Sequence, residues 1–213
     1  ATPVIMIKNS NNNEISYNTL SSKTTHGNGA IKEENSTNIT IVKNIADIIL
    51  TNDNYDQFFT NGILNNNYDS LLLGSDIYNK NMTFNSSVII INPYNHTIYN
   101  GTLTFTENAS NSKVTGIILN NTRNENTLII NSDKTNITNS TIYHNYNDGK
   151  TIIVTTSNVN LVNNTITTNG NNMQVLYFAN TTNTTNTALN SNNITTNGDK
   201  NTIITIFNGA RIT

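Results

Sequence analysis

Short apolar segments recur along the whole chain and are separated by polar stretches rich in asparagine and threonine. Several of these segments alternate apolar and polar residues, as in 159–162 and 202–206. An alternation with period two places every second side chain on the same face of a β-strand. The pattern therefore predicts a molecule built from many short strands, each with one apolar face, and few helices.

One pair of segments repeats in sequence and in context. Residues 164–170 read Asn-Thr-Ile-Thr-Thr-Asn-Gly, and residues 192–198 read Asn-Asn-Ile-Thr-Thr-Asn-Gly. An apolar strand follows each segment at the same distance, at 175–178 and at 203–207. The similar segment and the strand after it keep the same spacing in both copies, and this indicates a structural repeat.

A looser template extends this repeat upstream: an aliphatic residue, two residues, Asn, one residue, and a second aliphatic residue. It recurs from Val114 to Ile137, Leu161 and Leu189, and from Ile15 to Ile41. These intervals, about 23 to 28 residues, lie within the range of known solenoid repeats. The strict matches are Ile15/Asn18/Leu20, Leu161/Asn164/Ile166 and Leu189/Asn192/Ile194, and the looser ones are Ile137/Ser140/Ile142, Ile41/Asn44/Ala46 and Val114/Ile117/Leu119.

A period of this length suits one coil of three short strands and three turns. The sequence therefore predicts an all-β fold, a right-handed single-stranded parallel β-helix of the pectate-lyase-like kind, because crossover windings between parallel strands are right-handed. The turns at 147–149, 169–171 and 197–199 read Asn-Asp-Gly, Asn-Gly-Asn and Asn-Gly-Asp. Their Asn and Gly residues tolerate the left-handed backbone that such corners require. Equivalent apolar side chains should stack inside; we expect the core to contain Ile15, Leu20, Ile41, Val114, Ile117, Leu119, Ile129, Ile137, Ile142, Ile152, Leu161, Ile166, Val175, Leu189, Ile194 and Ile204.

Asparagine in the template has a physical use. Stacked coils repeat one position about every 4.7–4.9 Å, so identical amides can hydrogen-bond from coil to coil. We expect Asn164 and Asn192 to be largely buried at neighbouring corners, bonded to the backbone or to each other.

One stretch interrupts the β pattern. Residues 54–59 are aromatic and acidic, and they predict a short helix and turn within 48–75 that contains most of the helical residues, fewer than a tenth of the chain. We interpret 48–84 as a cap-like segment with the short helix and first strands, 1–47 as terminal coils of a preceding β-helix module, and 85–213 as β-helix coils.

Composition agrees with a polar solenoid that still has a core. The 213 residues include 48 Asn, 35 Thr and 29 Ile, with 11 % charged residues and a formal charge of −2. Disordered chains are poor in such β-branched residues. No cluster of Lys and Arg indicates nucleic acid or an anionic membrane as a partner, and no apolar run is long enough for a membrane span. The absence of Cys excludes a disulfide scaffold and a Cys-ligated zinc site.

The interrupting stretch also carries a family resemblance. Residues 54–59 (Asn-Tyr-Asp-Gln-Phe-Phe), Gly62, 71–76 (Leu-Leu-Leu-Gly-Ser-Asp) and 79–84 (Asn-Lys-Asn-Met-Thr-Phe) occur in that order, and 112–119 continues as a first full coil. In these segments the chain resembles the adhesin-like cell-surface proteins of methanogenic archaea, which are long Asn- and Thr-rich β-helices. The resemblance implies an extracellular, cell-surface location and an unknown surface glycan or protein as partner. No signal peptide or wall anchor is found in the sequence, and we expect both ends to be cut from a longer protein.

The β-helix fold also occurs in polysaccharide lyases and glycoside hydrolases, so catalysis must be argued from a site. A hydrolase needs two carboxylates close in space, and a Ca²⁺-assisted lyase needs clustered acids with a base. Asp133, Asp148 and Asp199 lie in turn-like sequence, where Asp is an ordinary turn former. We expect no acidic pair to share a face with a basic residue, since Arg123 near Glu125, and Arg211, do not complete one. His26, His96 and His144 occupy different registers.

The densest acidic group lies in the cap-like segment and comprises Asp53, Asp56, Asp69 and Asp76. A Ca²⁺ site is one interpretation, and helix capping by Asn52 or Asp53 with Asp56 in the first turn is the favoured one.

Asn-x-Ser/Thr sequons would permit a glycoprotein without proving one. They occur at Asn35, Asn38, Asn81, Asn85, Asn95, Asn100, Asn108, Asn120, Asn136, Asn139, Asn163, Asn180, Asn183 and Asn193.

Two functional hypotheses follow. The first is a non-catalytic structural or adhesive solenoid on the cell surface that binds glycans or proteins through a sheet face, and it assigns no catalytic, cofactor-binding or metal-binding residue. The alternative is a carbohydrate-active β-helix enzyme whose site lies partly outside the sequence.

Overall fold

The first strands of the chain form two small parallel sheets. A computed structural model describes residues 3–16, 18–20, 27–42, 44, 47–179 and 187–207. Ile5–Lys8 (β1) pairs with Ile31–Glu34 (β3), and Glu14–Ser16 (β2) pairs with Thr40–Val42 (β4). A 3-10 turn at Gly27–Ala30 precedes β3. Ile15 faces Ile41, which confirms the predicted step between these two template positions.

The described strands beyond residue 47 form three sheets, which each coil from residue 70 onward crosses in a constant order, whereas residues 48–64 contribute strands to the first and third sheets only. The first sheet has seven strands: Ile48–Leu50 (β5), Ser70–Leu73 (β8), Ile89–Ile91 (β11), Lys113–Thr115 (β14), Asn136–Thr138 (β17), Asn160–Val162 (β20) and Ala188–Asn190 (β23). The second has six: Ile77–Tyr78 (β9), Thr97–Tyr99 (β12), Ile118–Asn121 (β15), Thr141–His144 (β18), Thr165–Thr168 (β21) and Asn193–Thr196 (β24). The third has eight: Phe59–Thr60 (β6), Ile63–Leu64 (β7), Met82–Phe84 (β10), Leu103–Phe105 (β13), Leu128–Ile130 (β16), Lys150–Val154 (β19), Gln174–Phe178 (β22) and Thr202–Ile206 (β25).

Strand pairing confirms the predicted right-handed parallel β-helix and its register. In the first sheet Val114 faces Ile137, Ile137 faces Leu161, and Leu161 faces Leu189. These are the pairs that the sequence repeat predicted. The earlier coil between Leu71 and its partner Ile90 in the same sheet contains fewer residues than any of the three coils between these pairs.

The interrupting stretch contains the one short α-helix of the described residues, Tyr55–Phe58 (α1). Its N-cap is Asn54, not Asn52 or Asp53 as expected, while Asp56 lies in the first turn as expected. Asn54 makes no side-chain cap to the helix, because its Oδ1 accepts from the N–H of Thr51 at 2.7 Å. A second 3-10 turn lies at Glu107–Ala109.

Strands β6 and β7 form the one antiparallel pair among the described strands. Asn61 and Gly62 connect them with φ of 51° and 80°. Two consecutive positive φ values define the tight hairpin turn that Asn-Gly favours. Strand β5 enters the first sheet beside β8, so residues from 48 onward are continuous with the coils that follow. The assignment of 1–47 to a preceding module stays a prediction.

Most of the predicted core is buried. The confirmed members are Leu20, Val114, Ile117, Leu119, Ile137, Ile142, Ile152, Leu161, Ile166 and Val175. Ile15, Ile41, Leu189 and Ile194 are half-buried, and the last two pack against the core. Ile129 was wrongly assigned, because the buried side chains of β16 are its neighbours Leu128 and Ile130.

Ile204 was expected in the core but is exposed, at 41 %. Its register is inward, opposite Leu176, but no strand among the described residues stacks on the other side of β25. Its exposure therefore reflects the missing neighbour and not a wrong register.

In the predicted turns, the left-handed backbone is adopted by other residues than expected. The positive φ values belong to Asp148 (59°), Asn172 (55°) and Lys200 (57°), and not to the adjacent glycines. Gly170 is needed for close approach instead, because a Cβ there would lie 1.7 Å from the carbonyl oxygen of Tyr146. The left-handed backbone was predicted correctly, and the residue that adopts it was not.

Candidate functional site

A buried amide ladder runs along the corner between the first and second sheets. Asn164 is 2 % exposed, and its Nδ2 donates to the carbonyl oxygen of Ile137 at 2.9 Å while its Oδ1 accepts from the N–H of Ser140 at 2.9 Å. The Oδ1 of Asn192 accepts from Asn164 Nδ2 at 3.0 Å, and Asn192 Nδ2 donates to the carbonyl oxygen of Leu161 at 2.7 Å. The ladder prediction is confirmed, with Asn192 half-buried on the last described coil. These amides close the corner and stabilise the fold.

Further columns of uncharged side chains lie on the outer surface. Asn197 Nδ2 donates to Asn169 Oδ1 at 2.7 Å, and Asn169 Nδ2 donates to Asn145 Oδ1. On the first sheet Asn160 Nδ2 donates to Asn136 Oδ1 at 2.6 Å. Because the donor of one amide meets the acceptor of the next, the column of Asn145, Asn169 and Asn197 is a continuous hydrogen-bonded chain along the solenoid axis.

Tyrosines extend the outer surface of the second sheet. Tyr78 and Tyr99 stack with ring centroids 5.0 Å apart and an interplanar angle of 3°, and Tyr78 is 48 % exposed. Tyr78 donates to Asp76 Oδ2 at 3.2 Å, and burial and Asp76 raise its pKa above the ordinary value.

A polar depression of about 320 Å³ lies at the corner between the second and third sheets. It is lined by three successive turns, through residues 124–126, residues 148–150, and Asn172 with Gln174. We call it the corner depression. The three turns occupy equivalent positions of consecutive coils, so each lies one coil further along the solenoid than the one before it.

Two of the charged side chains in the corner depression are held by neighbours. Asn172 Nδ2 donates to Asp148 Oδ1 at 2.8 Å, across one coil step. Lys150 Nζ lies 4.5 Å from the centroid of the Tyr177 ring, a cation–π contact. Glu125, the third charged residue, lies on the adjacent coil. The depression thus combines two carboxylates, one ammonium and several amides.

A buried polar cluster lies behind this corner, inside the bore. His144 is fully buried, and its Nδ1 lies 2.9 Å from Thr127 Oγ1. Its Nε2 and the hydroxyls of Thr151 and Thr168 are buried without a hydrogen-bond partner. Burial lowers the pKa of His144 to about 4, so the imidazole is neutral near pH 7.

The expectation that no acidic pair shares a face with a basic residue is wrong, because Glu125, Asp148 and Lys150 line one depression. The sequence template compared equivalent strand positions, whereas these three residues lie in turns of neighbouring coils. The recurrence of those turns at the coil interval was the signal that could have located the depression. The turn role expected for Asp148 is nevertheless confirmed by its φ of 59°.

The other candidate residues lie apart. Asp133 accepts from Asn158 Nδ2 at 2.8 Å, and Arg123 donates from Nη2 to Asn79 Oδ1 at 2.6 Å. His96 Nδ1 lies 3.6 Å from Asp76 Oδ1. Asp199 belongs to the turn of the last described coil. His26 and Arg211 lie outside the described residues.

The acidic residues of the cap-like segment are not gathered into one site. Asp56 is paired with Lys80 at 2.8 Å, and Asp76 Oδ1 accepts from the N–H of Thr97 at 2.7 Å. Within the described ranges, no group of three or more His, Asp or Glu side chains is arranged to hold a metal ion. Asp56 thus forms an ion pair, and Asp76 accepts a hydrogen bond from the backbone of the next coil.

Of the sequon asparagines that the structure describes, six have positive φ, which gives them a role in the turns independent of any glycan: Asn35, Asn38, Asn95, Asn100, Asn139 and Asn163. None of the described helices is long and apolar enough to cross a membrane. No protein-family model, curated protein or solved structure matches the chain.

Proposed function

We propose that the chain is a non-catalytic segment of an extracellular, cell-surface solenoid with a structural and adhesive role, similar to the adhesin-like proteins of methanogenic archaea. The observation that supports this proposal is the regular, uncharged polar lining of the outer surface. Its columns of Asn and Thr repeat at the coil spacing and are uncharged, as in the contact of 3.1 Å between the hydroxyls of Thr115 and Thr138.

A column of identical neutral groups suits weak contacts that add up over many coils. Each group offers one or two hydrogen bonds to a surface glycan or protein, and each such bond contributes little by itself. Linked copies gain affinity because the second contact becomes intramolecular. The role we propose therefore depends on display of many copies, as on a cell surface.

The test compares single and clustered display. The full chain is offered to a glycan array and to whole cells, once as a monomer in solution and once at high density on beads. We expect retention of the beads and little retention of the monomer. Absence of retention in both formats would remove the adhesive part of the proposal.

A carbohydrate-active enzyme is the second candidate, and the corner depression favours it. Two carboxylates and a lysine are the groups that glycoside hydrolysis and lyase chemistry use as acid, base and proton acceptor. Against it, Asp148 adopts a left-handed turn and its carboxylate is held by the Asn172 amide.

Turnover decides between the two candidates. The chain is incubated with polygalacturonate and Ca²⁺, and separately with neutral polysaccharides, and new reducing ends or unsaturated ends are measured. We expect none. Product that disappears in the Glu125→Gln/Asp148→Asn double variant would instead establish an enzyme with its site in the corner depression.

A further inference from the structure

We propose that the corner depression is a binding site for neutral oligosaccharides. This inference rests on the adhesive function proposed above and adds a location and a ligand class to it. The location is a turn-lined corner, whereas the sequence pointed to a sheet face.

The first argument is hydrogen-bonding chemistry. The walls present side-chain amides from Asn124, Asn126 and Gln174, and each amide both donates and accepts. Glu125 adds an acceptor and Lys150 adds a donor. A sugar hydroxyl is also both donor and acceptor, so a polyhydroxylated ring can satisfy this mixed lining, whereas an apolar ligand would leave its amides unpaired.

The second argument is preorganisation of the lining turns. Asp148 N–H donates to the carbonyl oxygen of Asn171 at 2.9 Å, and Gln174 N–H donates to the carbonyl oxygen of Gly149 at 3.0 Å. The N–H of Gly149 also lies 3.3 Å from Met173 Sδ. With the turns already bonded from coil to coil, a ligand does not have to order them, and this lowers the entropic cost of binding.

The third argument is length. The depression spans three coils, and two coil spacings amount to roughly 9.5 Å at the usual separation of paired strands. A groove of that length running along the solenoid axis accommodates more than one sugar ring, so an oligosaccharide can contact turns on successive coils at once. A monosaccharide would contact only part of the lining.

The fourth argument is charge. Glu125, Asp148 and Lys150 together carry a net charge of −1, and Lys150 is already engaged over the Tyr177 ring. Anionic polymers such as polyuronates would meet two carboxylates and are disfavoured. A bound cation alone is also disfavoured, because no metal-binding group of three acidic or histidine side chains exists in the described part of the chain.

The experiment measures binding of the full chain to neutral hexasaccharides, namely cellohexaose, mannohexaose and xylohexaose, with hexagalacturonate as the anionic comparison. The test variant is Glu125→Ala/Gln174→Ala, which removes one carboxylate and one amide from the depression. The control is Glu107→Ala/Asn108→Ala, which removes the same two groups from an exposed turn between the third and first sheets. Circular dichroism and thermal unfolding establish that both variants are folded.

We expect at least one neutral hexasaccharide to bind, the test variant to bind it about tenfold more weakly, and the control to stay within about twofold, since two lost hydrogen bonds account for such a change. Hexagalacturonate should not compete. Equal binding by wild type and test variant would overturn the inference and leave glycan adhesion through another face intact. Failure of every neutral hexasaccharide to bind would also overturn it, while bead retention on cells would still support the proposed function.

Discussion

Buried polar residues stabilise the corners at which the coils turn. At the corner the backbone changes direction and loses strand partners, and the amide of Asn164 takes their place. It hydrogen-bonds to the backbone of Ile137 and Ser140 on the neighbouring coil. Leucine has a similar size but cannot donate or accept, so it would leave these buried groups unpaired. The repeat of Asn at 164 and 192 was predictable from sequence because its spacing equals the coil spacing.

Replacement of Asn164 by Ala should lower the free energy of unfolding by about 1–3 kcal/mol, because it leaves buried backbone groups without partners. Urea unfolding followed by circular dichroism measures the change. The matched control is Asn160→Ala, which removes an amide from the half-buried outer column of the first sheet and should cost less than about 0.5 kcal/mol. Equal losses at the two positions would contradict a special role for the corner ladder.

His144 should make the stability depend on pH. Its folded pKa of about 4 lies below the ordinary 6.5, so the unfolded chain binds a proton that the folded chain does not. The stability is therefore complete above about pH 6.5 and declines as the pH falls towards 4, by up to about 3 kcal/mol for a shift of this size.

The measurement is urea unfolding between pH 4 and 7 for wild type and His144→Gln. Carboxylates titrate in both proteins, so the difference between the two curves isolates His144. The difference should grow in favour of the variant as the pH falls. An NMR titration that places the imidazole pKa of His144 at or above 6.5 would contradict the predicted loss of stability at low pH.

At the scale of elements, the third sheet contributes the largest side chains to the bore. Phe84 and Phe105 lie on neighbouring strands and stack at 5.3 Å between ring centroids, and Phe59 of β6 contacts the ring of Phe84 edge-on at 6.0 Å. From Phe105 a column continues through Ile130 and Val154 to Phe178, because the strand register keeps these positions opposite one another. Short strands suffice because each is paired and packed on both sides by the same positions of adjacent coils.

Truncation of Phe105 to Ala should cost about 3–5 kcal/mol, since the cavity lies between two packed coils that cannot collapse into it. Phe105→Leu should cost clearly less. Tyr99→Ala, on the outer face, removes the stack with Tyr78 and should cost about 0.5–1.5 kcal/mol. Thermal and urea unfolding of the three variants give the order of their losses in stability. A loss for Tyr99→Ala as large as that for Phe105→Ala would contradict the assignment of Phe105 to the inner face and Tyr99 to the outer face.

Over the whole molecule, the register was more predictable than the site. The steps from Val114 to Leu189 follow from inward apolar positions, whose spacing is constrained by packing. The short coil from Leu71 to Ile90 was not predicted, because its turns are shortened and no Asn template marks them. The corner depression was missed because its lining residues lie in turns, and the template followed strand positions and not the recurrence of those turns at the coil interval. Its shape also depends on how the turn backbones bend.

Hydrogen exchange should show a gradient along the solenoid. Interior coils are paired on both sides, whereas β25 has a described neighbour only on the side of β22. Stability in a solenoid is close to a sum of coil and nearest-neighbour terms. We therefore expect the slowest exchange at β14 to β20 and faster exchange at β23 to β25, and uniform protection across all coils would contradict this expectation.

The direction of the interstrand hydrogen bonds has a mechanical consequence. These bonds run along the solenoid axis, so a force that pulls its two ends apart opens the coils in series and not all together. A coil such as the one between Ile137 and Leu161 would release roughly 80 Å of extended chain when it opens. A surface segment built in this way would lengthen stepwise under drag and absorb work at each step, and a single-molecule pulling trace would record one rupture for each coil.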